Sequence, residues 1–273
     1  MKTVSVRSWT VVAFGIIVSA LSMALIRSGI EGTTFVTGLI ANAGGVLTVG
    51  VAAAVIIWAA LRFGPTESLR RQWLLIGLGA LSYFLGNVVW AYYEAVLGQE
   101  IPFPGLPDVF YLLMFPLVAA GLVLAIRSFR ALLRPGKALI ISAICTVGIS
   151  AALWIPVFRP ALSDAETTGL TKLLGLLYPV ADLWLLFFPA FALALLLSRL
   201  AGGKLAWPWW VVVSGCVAIF FADTMFLVLS NAGTYTSGSA IDLGWWLGYT
   251  ALAAGASLAV DIQKPKRAGG GRS

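Results

Sequence analysis

The acidic residues Glu94, Asp108, Asp182, Asp223 and Asp242 stand in or beside apolar runs, with aromatic residues at helical spacing. Asn87, Trp90 and Glu94 are three and four residues apart, which puts them on one side of a helix. Asp223 and Phe226 repeat that pattern further along the chain. Asp108, Tyr111 and Phe115 share a second face, as do Asp242, Trp245 and Tyr249. Asp182, in Tyr178-Pro-Val-Ala-Asp182, is a looser echo. Carboxylates above aromatic rings attract cations through charge and through the ring quadrupole. Two such faces opposed would form an acidic, aromatic-walled cup for an amine or another small cationic or amphiphilic ligand.

These residues also have an ordinary structural use. Asp108 and Asp242 begin helices, where a carboxylate caps free N–H groups and suits the helix dipole. Ser239-Ala-Ile-Asp242 has capping-box spacing. Tyr and Trp near a membrane interface are common belt residues. Asp182 falls in a first turn if its helix starts at Pro179, and about two and a half turns deep if it starts near Leu173. Glu94 and Asp223 lie toward helix C-termini, where the dipole disfavours anions. Those two call for a function or a specific buried hydrogen bond.

The elements that position these groups follow from composition. The chain has 273 residues, 60% of them hydrophobic and 11% charged, with no histidine; its mean hydropathy is +0.96. Soluble domains carry about 25% charged residues, so the class is an all-α polytopic inner-membrane protein. Nucleic-acid binders, disordered chains and disulfide scaffolds are excluded. Without histidine, haem and most catalytic zinc sites are not expected. Cys145 and Cys216 sit in separate apolar runs and read as packing residues. No metal, no cofactor and no catalytic constellation is expected, nor the mid-membrane lysine a retinal protein needs.

Eight apolar runs reach the roughly 20 residues a spanning helix needs: Trp9–Ile26, Phe35–Leu61, Trp73–Leu97, Val109–Ile126, Ala138–Val157, Leu173–Leu197, Leu205–Leu229 and Leu243–Val260. The first lacks a persuasive cleavage site and reads as a span, not a signal peptide. With the loops assigned to alternate sides, every Lys and Arg except Arg27, Arg159 and Lys172 falls on one side. By the positive-inside rule both termini are cytoplasmic. Glu31, Glu100, Asp108, Asp164, Glu166 and Asp242 fall at outer positions, and Glu94, Asp182 and Asp223 lie toward the outer leaflet. The expected organisation is one membrane domain over residues 1–263, followed by a basic, Gly-rich cytoplasmic tail over 264–273.

The chain also repeats itself. Asp108-Val-Phe-Tyr-Leu-Leu-Met-Phe115 and Ala119-Ala-Gly121 align with Asp242-Leu-Gly-Trp-Trp-Leu-Gly-Tyr249 and Ala253-Ala-Gly255. Asn87, Trp90 and Glu94 align with Asp223, Phe226 and Ser230. The matched runs have the same orientation, which predicts a parallel 4+4 repeat (about 9–126 and 138–260) about an axis along the membrane normal. Gly244-Trp-Trp-Leu-Gly248 and Ala41-Asn-Ala-Gly-Gly45 predict close helix approach, within the chain or across a homodimer. Asn42 is a candidate for an interhelical hydrogen bond. Pro116, Pro179 and Pro189 predict kinks, and Phe103, in a proline-stiffened loop, a lid.

The string Trp90…Tyr93-Glu94…Pro102-Phe103-Pro104…Asp108…Tyr111-Leu112…Phe115-Pro116-Leu117 resembles the integral-membrane sensory region that precedes PAS, GGDEF and EAL domains in bacterial cyclic di-GMP signalling proteins. Ala222-Asp223…Phe226…Gly238…Asp242…Trp245…Gly248-Tyr249…Ala253-Ala254 fits the same resemblance. It covers about Trp73 to Val260. The chain departs from the pattern at Pro104-Gly-Leu-Pro-Asp108 and Phe115-Pro116, and no output domain follows, so cyclase or phosphodiesterase activity is not implied. The resemblance implies a stand-alone bacterial inner-membrane module that receives a signal for a partner chain. A non-catalytic accessory subunit of a larger membrane complex is the second expectation, and a small-solute transporter the third.

Overall fold

The computed structural model describes residues 5–28, 34–99, 101–130, 132–163, 169–200 and 203–263. Glu31, Glu100, Asp164, Glu166, Lys2, Lys264, Lys266, Arg267, Arg272 and the rest of the tail lie outside the described residues.

The apolar runs form helices because they are long, almost free of charge, and interrupted only at Gly, Pro and polar loops. These are α1 (Val6–Arg27), α2 (Thr34–Ala60), α3 (Ser68–Ala91), α4 (Leu106–Phe129), α5 (Gly136–Ala152), α6 (Gly169–Ala181), α7 (Trp207–Asn231) and α8 (Asp242–Gln263). Among the described residues, seven helical stretches are long and apolar enough to cross a membrane, the pattern of a polytopic membrane protein. The fifth run differs from expectation. Its α-helix has only 17 residues and reaches further through a π-helical turn, Trp154–Phe158, and a short helix, Arg159–Ser163.

Two more π-helical turns extend α3 (Tyr92–Leu97) and α6 (Asp182–Phe187), and α6 then continues as Phe188–Leu197. Pro179 and Pro189 flank the turn in α6. Each lacks the N–H of the regular ladder, and a π-helical turn is one way to absorb that loss. One of these turns starts at Asp182 and another contains Glu94.

The most extensive packing joins α3 to α4, α7 to α8 and α2 to α3. In the core Trp73 stacks on Trp209 at 4.7 Å and 12°. These two are separated by the same sequence interval as Asn87 and Asp223. Matched glycines let the paired helices touch through their backbones. A Cβ at Gly79 would lie 3.2 Å from the Met114 carbonyl, and one at Gly215 would lie 2.6 Å from the Gly248 carbonyl. Gly121 backs onto the Gln72 carbonyl as Gly255 backs onto that of Pro208. The Gly244–Gly248 pair is therefore spent inside the chain, against Ala218, Ala222 and Ile219 of α7. The remaining helices differ between the halves: α1 packs on α8 and α2, whereas α5 packs mainly on the second part of α6.

At the end of the bundle away from the α3–α4 and α7–α8 loops, Trp58 lies between the guanidinium groups of Arg7 and Arg62, at 4.5 and 4.8 Å. There the Ser5 N–H and Ser8 hydroxyl donate to Asp261 Oδ2, and Glu67 Oε1 accepts from the Gly64 N–H. The acids are thus not all gathered at one end. Glu67 and Asp261 serve as local fasteners at the other.

Candidate functional site

At the end bounded by the α3–α4 and α7–α8 loops, the helices enclose a cavity of about 450 Å³, within the size range of small-molecule sites. Helix α3 contributes Tyr83, Asn87 and Trp90, α4 contributes Asp108 and Tyr111, and α6 with its π-helical turn contributes Tyr178 and Asp182. Asp223 and Phe226 come from α7, Asp242, Trp245 and Trp246 from α8, and Asn42 from α2. Among the described residues, no Lys or Arg lines the cavity.

Local chain geometry explains how the acids at the helix starts are held. Asp108 stands in the first turn of α4 and its Oδ2 accepts from the Gly105 N–H at 2.7 Å, while Tyr178 donates its hydroxyl to Oδ1 at 2.6 Å. Asp242 opens α8, accepting from the Gly238 N–H at 2.8 Å and the Tyr235 hydroxyl at 3.2 Å. The box expected at Ser239 is thus displaced by one residue. Gly238 has φ +94°, a left-handed conformation that glycine adopts without strain. Burial and the Asp242 carboxylate hold the loop phenol of Tyr235 well above its ordinary pKa, so it stays protonated and able to donate.

Glu94 stands behind the lining, not in it. Its Oε2 accepts from Asn42 Nδ2 at 2.9 Å, Trp90 Nε1 at 3.0 Å and the Ser237 hydroxyl at 3.0 Å. The bond expected of Asn42 therefore joins α2 to the end of α3. Tyr249 also lies outside the lining, buried and packed on Tyr83 with centroids 4.7 Å apart.

The helix-interior positions are furnished differently. Tyr111 donates to Asn87 Oδ1 at 3.0 Å, and at the aligned positions Trp245 Nε1 donates to Asp223 Oδ1 at 2.6 Å. Trp90 and Phe226, also aligned, meet edge-on at 6.5 Å. Helix α6 begins at Gly169, which puts Asp182 about 20 Å along it and leaves the residue 2% exposed. The carboxyl of Asp182 comes within hydrogen-bonding range of that of Asp223. Asp182 Oδ1 and Asp223 Oδ2 are buried with no hydrogen-bond partner.

Of the residues singled out in the sequence, Asn87, Trp90, Asp108, Tyr111, Asp182, Asp223, Phe226, Asp242 and Trp245 line this one cavity. Phe103 reaches it as well, with its ring 6.5 Å from that of Tyr178. Sequence reasoning did not single out Tyr83 or Tyr235, and named Tyr178 and Trp246 only within the Asp182 echo and the small-residue motif, not as site residues. Tyr83 and Tyr178 each stand four residues before a singled-out polar residue, a spacing that could have found them. Tyr235 comes from a loop and carries no periodic signal. No family model matches this chain, and no curated protein or solved structure matches it.

Proposed function

We propose that the chain is a membrane sensory or ligand-binding module whose acidic, aromatic cavity opens toward the outer face and whose occupancy is read by a partner chain on the cytoplasmic side. The observation that carries this reading is the cavity itself. It gathers four aspartates and a ring of aromatic side chains with no basic residue to neutralise them, the complement of a small cationic or amphiphilic ligand.

The orientation rests on charge. Arg7 and Arg62 lie at the end opposite the cavity and belong to the basic set, so the positive-inside rule puts that end and both termini in the cytoplasm of a bacterial cell. The matched contacts of α3–α4 and α7–α8 support the parallel 4+4 duplication, with its axis between Trp73 and Trp209. The resemblance to sensory regions of cyclic di-GMP proteins supports the signalling role.

Native mass spectrometry of the protein, extracted gently from its own membrane, tests the reading. The expected result is a discrete small-molecule adduct that disappears in Asp223→Asn. A stoichiometric partner protein without any small adduct would favour a non-catalytic accessory subunit instead. One feature favours that second reading: α5 packs mainly on α6 and exposes Ile140, Ile144 and Val147 to lipid or to a neighbouring chain.

A further inference from the structure

The acids around the cavity divide by whether their oxygens have donors. Asp108 and Asp242 each receive one N–H and one hydroxyl, and Glu94 receives three donors on one oxygen. Asp223 has the Trp245 indole on Oδ1 and no N–H or hydroxyl donor on Oδ2, with the Asp182 carboxyl beside it. Asp182 is 2% exposed, and its Oδ1 has no partner. These two unsatisfied carboxyls face each other across the join of α6 and α7, far from any backbone N–H that a helix start could supply.

A carboxylate accepts and does not donate, so the missing partner must carry N–H or O–H groups. Without a ligand, a proton shared between the two carboxyls can pair them. A ligand that takes the place of that proton brings N–H donors and positive charge together, because no basic residue is among the described lining residues. A divalent cation of the calcium type takes six to eight oxygens, and among the described residues no group of three or more His, Cys, Asp or Glu side chains comes together to hold a metal ion. A quaternary ammonium brings charge but no N–H, and it would leave both buried oxygens unsatisfied.

We propose that Asp182 and Asp223 together seat the nitrogen of a protonated primary or secondary amine, which donates to both carboxyls while its apolar body packs against Tyr83, Phe226 and Trp245. This rests on the ligand-binding reading above and narrows it from any small cation to a hydrogen-bond-donating ammonium. Specificity follows from the same geometry, because a site built around donors rejects an analogue that lacks them more strongly than one that is merely larger.

The test uses the full chain in lipid nanodiscs, titrated with hexylamine, phenethylamine and tryptamine and with the N,N,N-trimethyl counterpart of each. Binding is followed by calorimetry and tryptophan fluorescence. At least one amine is expected to bind saturably, with its trimethyl form at least about tenfold weaker. Asp182→Asn and Asp223→Asn should each weaken the amine by at least about tenfold, and Glu67→Gln should leave it unchanged. Thermal melts of the two Asn variants, no lower than the parent's, would show that the loss is not unfolding. Equal binding of amine and trimethyl forms would overturn the inference and leave a general cation site standing. So would amine binding that survives both Asn substitutions. If no amine binds although a native adduct is present, this inference falls and the ligand-binding reading survives. With neither amine binding nor an adduct, both fall.

Discussion

In the hairpin α3–α4 an amide, Asn87, accepts from Tyr111; at the matched place in α7–α8 a carboxyl, Asp223, accepts from Trp245 and has Asp182 beside it. Around these positions the two hairpins share their glycine contacts and meet at Trp73 and Trp209. The shared features are apolar or backbone contacts, and they hold the frame. At the Asn87/Asp223 position the two differ by an acid for an amide, whereas Glu94, aligned with Ser230, is the reverse case and is already satisfied by three donors. Under the proposed duplication, a frame used twice would present two equal cups, and an acid in place of one amide would make one of them the acidic seat.

The tryptophan stack is where the comparison breaks most forcefully. Trp73→Ala and Trp209→Ala each empty a fully buried site, with an expected loss of about 3–5 kcal/mol. Because each ring is the other's partner, the double variant should lose less than the sum of the two. Thermal or denaturant unfolding in detergent would read this, and strict additivity would mean that the rings do not depend on each other.

A sharper difference between the hairpins lies in the glycines. At Gly215 the nearest atom to an added Cβ is a backbone carbonyl at 2.6 Å, while at Gly79 it is a Val118 methyl at 2.6 Å. A methyl can move with its side chain and a carbonyl cannot, so Gly215→Ala should destabilise more than Gly79→Ala within a range of about 1–3 kcal/mol. The reverse order would contradict the backbone contact between α7 and α8.

Asp223→Asn makes the two hairpins chemically alike. The new amide can donate to the Asp182 carboxyl, which now lacks a donor on Oδ1. The variant should therefore gain about 1–2 kcal/mol and melt higher while losing the binding of the proposed amine. A lower melting temperature would mean that the acid at this position serves the fold.

The smallest effects belong to the tyrosines on the two helix starts. Tyr178→Phe removes a 2.6 Å bond to Asp108, and Tyr235→Phe removes a 3.2 Å bond to Asp242. Each should lose about 1 kcal/mol, with Tyr178 the larger. Melting temperatures would rank them.

The helices and the facing of most cavity residues could be read from the sequence because both rest on periodicity. Tyr111 and Trp245 project where spacing by three and four residues puts them. The π-helical turns were not legible, since an extra residue per turn leaves no mark on an unbroken apolar run. The depth of Asp182 turns on a separate feature, the start of α6 at Gly169, which no N-cap pattern in the sequence marks. The Asp182–Asp223 pair was hidden for another reason: it joins α6 to α7 through tertiary packing, and no sequence interval announces it. Glu94 shares a side with Trp90, whose indole it accepts from, but stands behind the lining because donors from α2 and the α7–α8 loop use the same oxygen, which one helix's pattern does not contain.

The attachment of α1 bears on how the fold is built in time. Apart from α2, its main neighbour is α8, through the close approach of Gly15 to Thr250 and the Ser5 and Ser8 bonds to Asp261. A ribosome makes α1 first and α8 last of the eight. Until α8 is made, α2 is the main neighbour available to α1. The contact of α1 with α8 forms only once α8 emerges, so a chain stalled before α8 would lack the α1–α8 face of the bundle.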